Sequence, residues 1–354
     1  MSAEATFRGR PGDRSREDIC LITGATGFIG GRLAVRLVRE GYSVRCLTRA
    51  SSDTSHLDEL DVEIAVGDLT NAHSLTRAVE GCQYVFHCGA LVTDWATKEE
   101  IARTNVEGTR SLLAVSVGAA VRRFVHMSTT DVYGYPDASE IDEAYVATRF
   151  RNWYAQTKRE AEAEVRRVAE RSALNAVILR PATVYGPGSK EVVGAIARAI
   201  EGHHMLLVDG GRAIAGLCYV ENLIDAALLA LRHDTAPGQA FNIGDDLDIT
   251  WKQFTDDLAE GLGCPQVRWS LPYWLANGIG FSLEHGYRLL RKATGLTLPP
   301  LLSRQAVQVL GKHQDFSNRR ARETLGWTPR VDYATGLEAT LAWLRSEHSE
   351  PRDP

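Results

Sequence analysis

The sequence predicts an α/β protein: a doubly wound parallel sheet with a smaller C-terminal lobe. Two observations predict it. Through the first half of the chain, apolar runs of strand length alternate with stretches of helical periodicity. The first run, Ile19-Cys20-Leu21-Ile22, leads into Thr23-Gly24-Ala25-Thr26-Gly27-Phe28-Ile29-Gly30 and then an amphipathic stretch, Gly31 to Glu40. A strand, three glycines spaced by three and a helix form a phosphate cradle. Gly24 allows the tight turn, Gly27 lets the backbone approach a pyrophosphate, and Gly30 lets helix and strand pack closely. The free N–H groups and positive dipole end of the helix would hold the anion. The residues facing it would be Gly24, Thr26, Gly27, Phe28, Ile29 and Gly30.

Composition sets bounds. At 354 residues the chain suits one large domain or two unequal ones. A net charge of −5 without a long basic run argues against nucleic-acid binding. The six cysteines include no CxxC pair and mostly fall in apolar runs. They read as small buried hydrophobes in a reducing, cytoplasmic compartment. Residues 1–17 are polar and lack the apolar core of a signal peptide, so a disordered lead-in is expected there, and another tail at 346–354. No apolar stretch reaches membrane-spanning length.

After the first helix, Gly41 provides the C′ stop. Tyr42 to Arg49 reads as the second strand. A carboxylate at its end would favour a ribose 2′-hydroxyl; a cation would favour a 2′-phosphate. The chain has Arg49 there and no acid until Asp53, which predicts NADP (NADPH) as the preferred cofactor and NAD as the alternative. Val62 to Val66 is a third strand, followed by Gly67-Asp68-Leu69-Thr70. Asp68 could accept from an adenine amino group or cap the helix starting near Asn71. Tyr84 to Cys88 is a fourth strand, and Gly89 and Ala90 beyond it leave room for a flat-lying cofactor. His87 sits in that apolar run and reads as a core histidine. Asn105 and Gly108 fall in a helix expected over Ile101 to Val117, and Phe124 to Ser128 is a fifth strand.

Candidate catalytic groups stand at the ends of these elements. Ser128-Thr129-Thr130 closes the fifth strand, and Tyr154 and Lys158 lie in a helix running to Arg171. A spacing of four puts phenol and ammonium on one helical face. A tyrosine of ordinary pKa about 10 is a poor acid or base near neutrality. A neighbouring ammonium favours the phenolate and lowers that value. A nearby hydroxyl can position a carbonyl or alkoxide oxygen.

With these motifs in order, the sequence resembles the extended short-chain dehydrogenase/reductase family, over about Asp18 to Arg345. The resemblance rests on Thr23 to Gly30, Gly67-Asp68-Leu69, Thr104 to Thr109, Ser128 to Gly134, Tyr154 to Lys158 and Arg180 to Pro187. It implies a Rossmann domain with Tyr154 as proton donor/acceptor. Lys158 would hold the nicotinamide ribose and tune Tyr154. Thr129 would be the hydroxyl partner, with Ser128 as the competing choice. Asn105 matches a structural or relay asparagine. Pro181 and Val184 fall where the family's backbone meets the nicotinamide amide, and Asp68, Leu69, Gly89 and Ala90, with Asn105, Tyr154 and Lys158, complete the cofactor set. In similar proteins the Tyr154 helix packs in a homodimer. Its Arg and Glu residues otherwise read as a solvated, salt-bridged face.

The branch is read from Ala215 to Asn222. Nucleotide-sugar members usually carry an Arg-Asp pair where Ala215 and Gly216 stand, with Arg212 as a substitute one turn earlier. Tyr219-Val220-Glu221-Asn222 instead resembles the 3-beta-hydroxysteroid dehydrogenase branch; Asn222 could also cap the helix that follows. Leu271 to Leu290 and Leu298 to Leu302 are apolar and aromatic. They suit a core-packed amphipathic helix, the wall of a hydrophobic substrate pocket, or peripheral membrane contact. Trp327 reads as structural.

The expected organisation is a dinucleotide-binding Rossmann domain at 18–180 plus 217–247, and a discontinuous substrate-binding lobe at 181–216 plus 248–345. The expected activity is hydride transfer between nicotinamide and a carbonyl or secondary alcohol of a bulky, largely apolar substrate. The alternative is a nucleotide-sugar epimerase or dehydratase with tightly held NAD.

Overall fold

Seven parallel strands form the centre of the computed structural model, which describes residues 18–93, 96–136, 138–150, 152–294 and 303–349. The first six are β1 (Ile19–Thr23), β2 (Ser43–Thr48), β3 (Val62–Val66), β4 (Tyr84–His87), β5 (Arg123–Met127) and β6 (Asn175–Pro181). Next come β7 (Thr183–Tyr185), β8 (Leu207–Val208), β9 (Leu217–Tyr219), β10 (Ala240–Ile243) and β11 (Ser270–Leu271). The central sheet runs β10-β6-β5-β4-β1-β2-β3. Every residue of β5 and all but the first of β6 are buried, which is why these strands read as nearly continuous apolar runs. The strand order reverses between β1 and β4, whose register pairs Thr23 with His87. The crevice at such a switch point is where α/β sheets bind ligands.

Local chemistry sets the helix starts. α1 (Phe28–Arg39) begins at Gly27, which brings no side-chain cap, and Gly41 follows its end at φ 82°. α2 (Ala72–Val79) is capped by Asn71, whose side chain accepts from the Ser74 N–H. Asp68 therefore does not cap it; its carboxylate accepts from the N–H and hydroxyl of Thr70, both at 2.7 Å. α3 (Lys98–Ala102) starts with a Thr97–Glu100 capping box. The helix expected over 101–117 is not continuous. A π-helical turn, Arg103–Glu107, separates α3 from α4 (Gly108–Gly118). α5 (Trp153–Arg171) starts at Asn152, whose side chain accepts from Ala155 N–H at 2.7 Å.

Beyond β6 the chain adds α6 (Val193–Glu201), α7 (Val220–Arg232), α8 (Trp251–Gly261), α9 (Tyr273–Thr294), α10 (Arg304–Gly311), α11 (Arg319–Leu325) and α12 (Tyr333–Ser349). Two small parallel pairs, β7 with β9 and β8 with β11, lie outside the main sheet. Val208, Ala276 and Val307 form a separate buried cluster where β8, α9 and α10 meet. Asn222 does not cap α7. It is fully buried, and its amide instead ties α7 to Asp245 and to the backbone of Arg330 and Val331. Trp327 is buried and donates to the Asn222 carbonyl. Among the described residues no helix is long and apolar enough to cross a membrane. Trp274 is 73% exposed and Phe281 is also exposed, so part of the aromatic stretch faces outward rather than into the core. Residues 298–302, read with it, lie outside the described residues.

Candidate active site

The glycine turn is built by close approach. Gly24 has φ 72°, and a Cβ there would stand 2.7 Å from the Gly89 nitrogen. A Cβ on Gly30 would overlap the Gly24 carbonyl, so strand end and helix start meet with no room for a side chain. The first N–H groups of α1 have no intrahelical partners and receive no cap from Gly27. Gly27 is exposed, Thr26, Phe28 and Ile29 half-buried. On the far side, the ring of Phe28 lies 3.3 Å from where a Cβ of Gly188 would be, which brings the 184–188 stretch over the start of α1. Uncapped N–H groups at the open end of a helix, behind a turn that carries no side chain at Gly24 or Gly27, suit a dinucleotide pyrophosphate.

A buried relay fixes the β4 side. Gly89 N–H donates to Thr23 Oγ1 at 3.0 Å, and Thr23 Oγ1 meets His87 Nδ1 at 2.8 Å. His87 Nε2 meets Thr109 Oγ1 at 2.8 Å, and Thr109 donates to the Asn105 carbonyl at 2.6 Å. The directions force one assignment: His87 carries its proton on Nε2 and accepts from Thr23 on Nδ1. Burial, with Lys158 nearby, pushes its pKa down to about 3, so it stays neutral. The Asn105 amide accepts from Leu91 N–H at 2.7 Å and donates to Leu91 O and Thr157 Oγ1. It thereby clamps the Gly89-Ala90-Leu91 loop to α5. Asn105 sits in the π turn; such turns recur at functional sites. Leu69 packs against Gly89 and Gly108 beneath this loop.

At the β5 end, Lys158 is buried and its Nζ donates to the Met127 carbonyl at 2.5 Å. Burial lowers its pKa to about 8, while Glu162 and Cys88 act in the opposite sense. Tyr154, one turn earlier on the same face, behaves differently from the expectation. Burial and the Asp131 carboxylate hold its phenol above the ordinary value. The chain's own residues keep Tyr154 protonated at neutral pH. Burial is the larger cause, and the Asp131 carboxylate adds to it.

The two hydroxyl candidates separate clearly. Ser128 is buried and its Oγ donates to Glu162 Oε1 at 2.7 Å. Thr129 is half-buried; its oxygen accepts from the Asp131 N–H at 3.1 Å and caps the short turn Thr130–Tyr133. That bond uses an acceptor site and leaves the Thr129 O–H to donate.

The sequence reading missed Glu162. It lies four residues past Lys158, so helical spacing alone puts it on the buried face. It pairs with Arg180 through Nε at 2.8 Å and Nη2 at 2.6 Å, and with Arg166 at 3.1 Å. Arg180 in turn donates to the Tyr133 hydroxyl, which donates to Asn242 Oδ1 at 2.6 Å. Glu164, with Arg110 and Arg167, forms the surface pairs expected of this helix.

Pro181 is buried at the end of β6, and Val184 is half-buried in β7. Arg49 is exposed just past β2, and its charge is one of those that hold Asp68 below the usual carboxylate range, after the hydrogen bonds from Thr70. Arg49 and Asp68 thus mark one end of the crevice and Tyr154 and Lys158 the other. Ala215 is fully buried. Gly216 has φ 59°, and a Cβ there would overlap Gln314. Neither position has space for a long charged side chain. Arg212 is exposed.

The profile of the NAD dependent epimerase/dehydratase family matches residues 20–244. The 4-hydroxy-2-methyl-3-oxo-4-farnesyl-3,4-dihydroquinoline-1-oxide ketoreductase of Stigmatella aurantiaca is 30% identical, covering 90% of this chain and 94% of that protein. The 3 beta-hydroxysteroid dehydrogenase/Delta 5-->4-isomerase of Mycobacterium tuberculosis is 31% identical, covering 92% of this chain and 90% of that protein. Among solved structures, MoeE5 in complex with UDP-glucose and NAD superposes with a TM-score of 0.73 at 25% identity, covering 94% of this chain and all of that one (100%).

Proposed function

From a chain that belongs to the NAD dependent epimerase/dehydratase family, the extended short-chain dehydrogenases/reductases, we propose an NADP-dependent ketoreductase acting on a bulky, largely apolar carbonyl compound. The observation that carries the proposal is on α5, where half-buried Tyr154 precedes buried Lys158 by one turn and Lys158 is fixed to the end of β5 at 2.5 Å. The cofactor supplies or accepts the hydride. The N-terminus of α1 and the backbone at Gly27 bind its pyrophosphate, and Arg49 takes the 2′-phosphate that distinguishes NADP. The 89–91 loop, clamped by Asn105, and the Pro181 and Val184 backbone line the nicotinamide end.

Substrate chemistry falls to three side chains. Thr129 O–H and Tyr154 O–H both donate to the carbonyl oxygen and polarise it. As charge develops on that oxygen, the Tyr154 proton moves to it. Lys158 stabilises the phenolate that remains. A phenol held protonated by its surroundings suits reduction. The apolar character of the substrate is supported by Ala215 and Gly216, where the family's nucleotide-sugar members bear a charged clamp, and by the names of the two relatives. A homodimer through the outer face of α5 is part of this reading; a purely monomeric sedimentation profile at micromolar concentration would remove it.

The test is NADPH consumption with a panel of hydrophobic ketones set against nucleotide sugars. Turnover of a hydrophobic ketone supports the reading. Interconversion of a nucleotide sugar without net NADPH use replaces it with the epimerase or dehydratase alternative, which the family description and the likeness to MoeE5 favour.

A further inference from the structure

The buried carboxylate of Glu162 has no place in the scheme above, although it is 1% exposed and accepts four hydrogen bonds. A carboxylate that deep is kept ionised only by strong partners. Here they come from three elements: Ser128 at the end of β5, Arg180 on β6 and Arg166 on its own helix. Arg180 also spans to Tyr133, with its guanidinium 5.0 Å from that ring.

We propose that Glu162 is a positioning residue that acts through Lys158 and Ser128. Its carboxylate, one helical turn beyond Lys158, keeps that side chain an ammonium inside the protein and ties the start of the Ser128–Tyr133 segment to α5. The inference rests on Tyr154 and Lys158 being the acid/base pair. It also assigns Ser128 a role: its hydroxyl is an anchor for the segment that carries Thr129.

The charges around Lys158 leave Glu162 as the anion that matters. Tyr154 on the same helix is held as neutral phenol. Cys88 beyond β4 is held as neutral thiol, its pKa pushed up to about 12 by burial. His87 on β4 and His126 on β5 are both held neutral by burial. Burial lowers the Lys158 pKa, and Glu162 opposes it. Arg180 and Arg166 spread part of the Glu162 charge without removing it.

Competitive labelling with acetic anhydride across neutral to strongly alkaline pH, read on the Lys158 peptide by mass spectrometry, measures the Lys158 titration without any substrate. Glu162→Gln should move the midpoint down by about one pH unit. Glu162→Asp keeps the charge and should leave it near the parent value. The alkaline limb of kcat/KM for an active ketone should move with it in the same variants. Because Glu162→Gln strands a buried guanidinium, Glu162→Gln with Arg180→Gln is read in its place if the single variant does not fold; it removes a cation with the anion, so a smaller downward move of the midpoint is expected. An unchanged midpoint in the charge-removing variant, or an equal shift in Glu162→Asp, overturns the proposal. Failure of every ketone would overturn the ketoreductase reading while leaving the labelling result interpretable.

Discussion

The Ser128 hydroxyl donates to the Glu162 carboxylate at 2.7 Å, and this bond divides two adjacent hydroxyls into different jobs. Ser128 faces inward and holds the β5 end to α5. Thr129, the next residue, keeps its O–H for the crevice. Thr129→Val should therefore lower kcat by about 10²- to 10³-fold, the range for losing one oxyanion donor. Ser128→Ala should lower it by less than about tenfold while reducing thermal stability, since it leaves a buried carboxylate one bond short. Steady-state kinetics on the two variants decides: a larger loss of kcat in Ser128→Ala reverses the assignment.

Tyr154→Phe removes the transferred proton and only one hydroxyl at the nicotinamide end. Its kcat should fall by about 10²- to 10⁴-fold, the typical contribution of a positioned acid. NADPH affinity should stay within a few-fold. Near-normal turnover would remove Tyr154 from the mechanism.

Arg49 stands exposed at the end of β2, where a 2′-phosphate would lie. Arg49→Ala should weaken NADPH binding at least tenfold and leave NADH binding unchanged, the loss expected for one charge-assisted contact. Equal effects on the two nucleotides would place the discrimination elsewhere.

Asp245 gives a pH signature unrelated to catalysis. Burial raises its pKa from 3.8 to about 7, against the hydrogen bonds from Tyr219 N–H and Asn222 Nδ2. A raised carboxyl contributes stability fully present below the unfolded value and lost as pH rises through about 7. That shift corresponds to roughly 4 kcal/mol at most. The melting temperature of the parent protein should therefore fall relative to Asp245→Asn between mildly acidic and mildly alkaline pH. A constant difference would show that Asp245 is ionised in the fold throughout.

Much of this architecture is legible in the sequence because parallel strands buried on both faces leave continuous apolar runs, as in β5 and β6. The glycine turn is legible for a similar reason: contacts too close for Cβ leave glycine as the residue that fits. The π turn at Arg103–Glu107 is not legible, because its residues have ordinary helical character and Asn105's partner there, Leu91, lies in a loop outside the helix. Asn222 reads as a helix cap because the tail it binds, Arg330 and Val331, is over a hundred residues away. Glu162 is hidden among the surface charges of α5, and its burial depends on Arg180 arriving from β6. The raised pKa of Tyr154 has a similar origin: burial and then the Asp131 carboxylate, which comes from a different segment, set it, and the helical spacing of Tyr154 and Lys158 reports neither.

The most direct measurement is calorimetric titration of purified protein with NADPH and then NADH, after denaturing a sample to assay for nucleotide carried through purification. An exchanging NADP-dependent reductase predicts an empty site, tight NADPH binding and much weaker NADH binding. A site already filled with NAD that titrated nucleotide does not displace would contradict it, and would mark the cofactor as recycled in place by an epimerase or dehydratase.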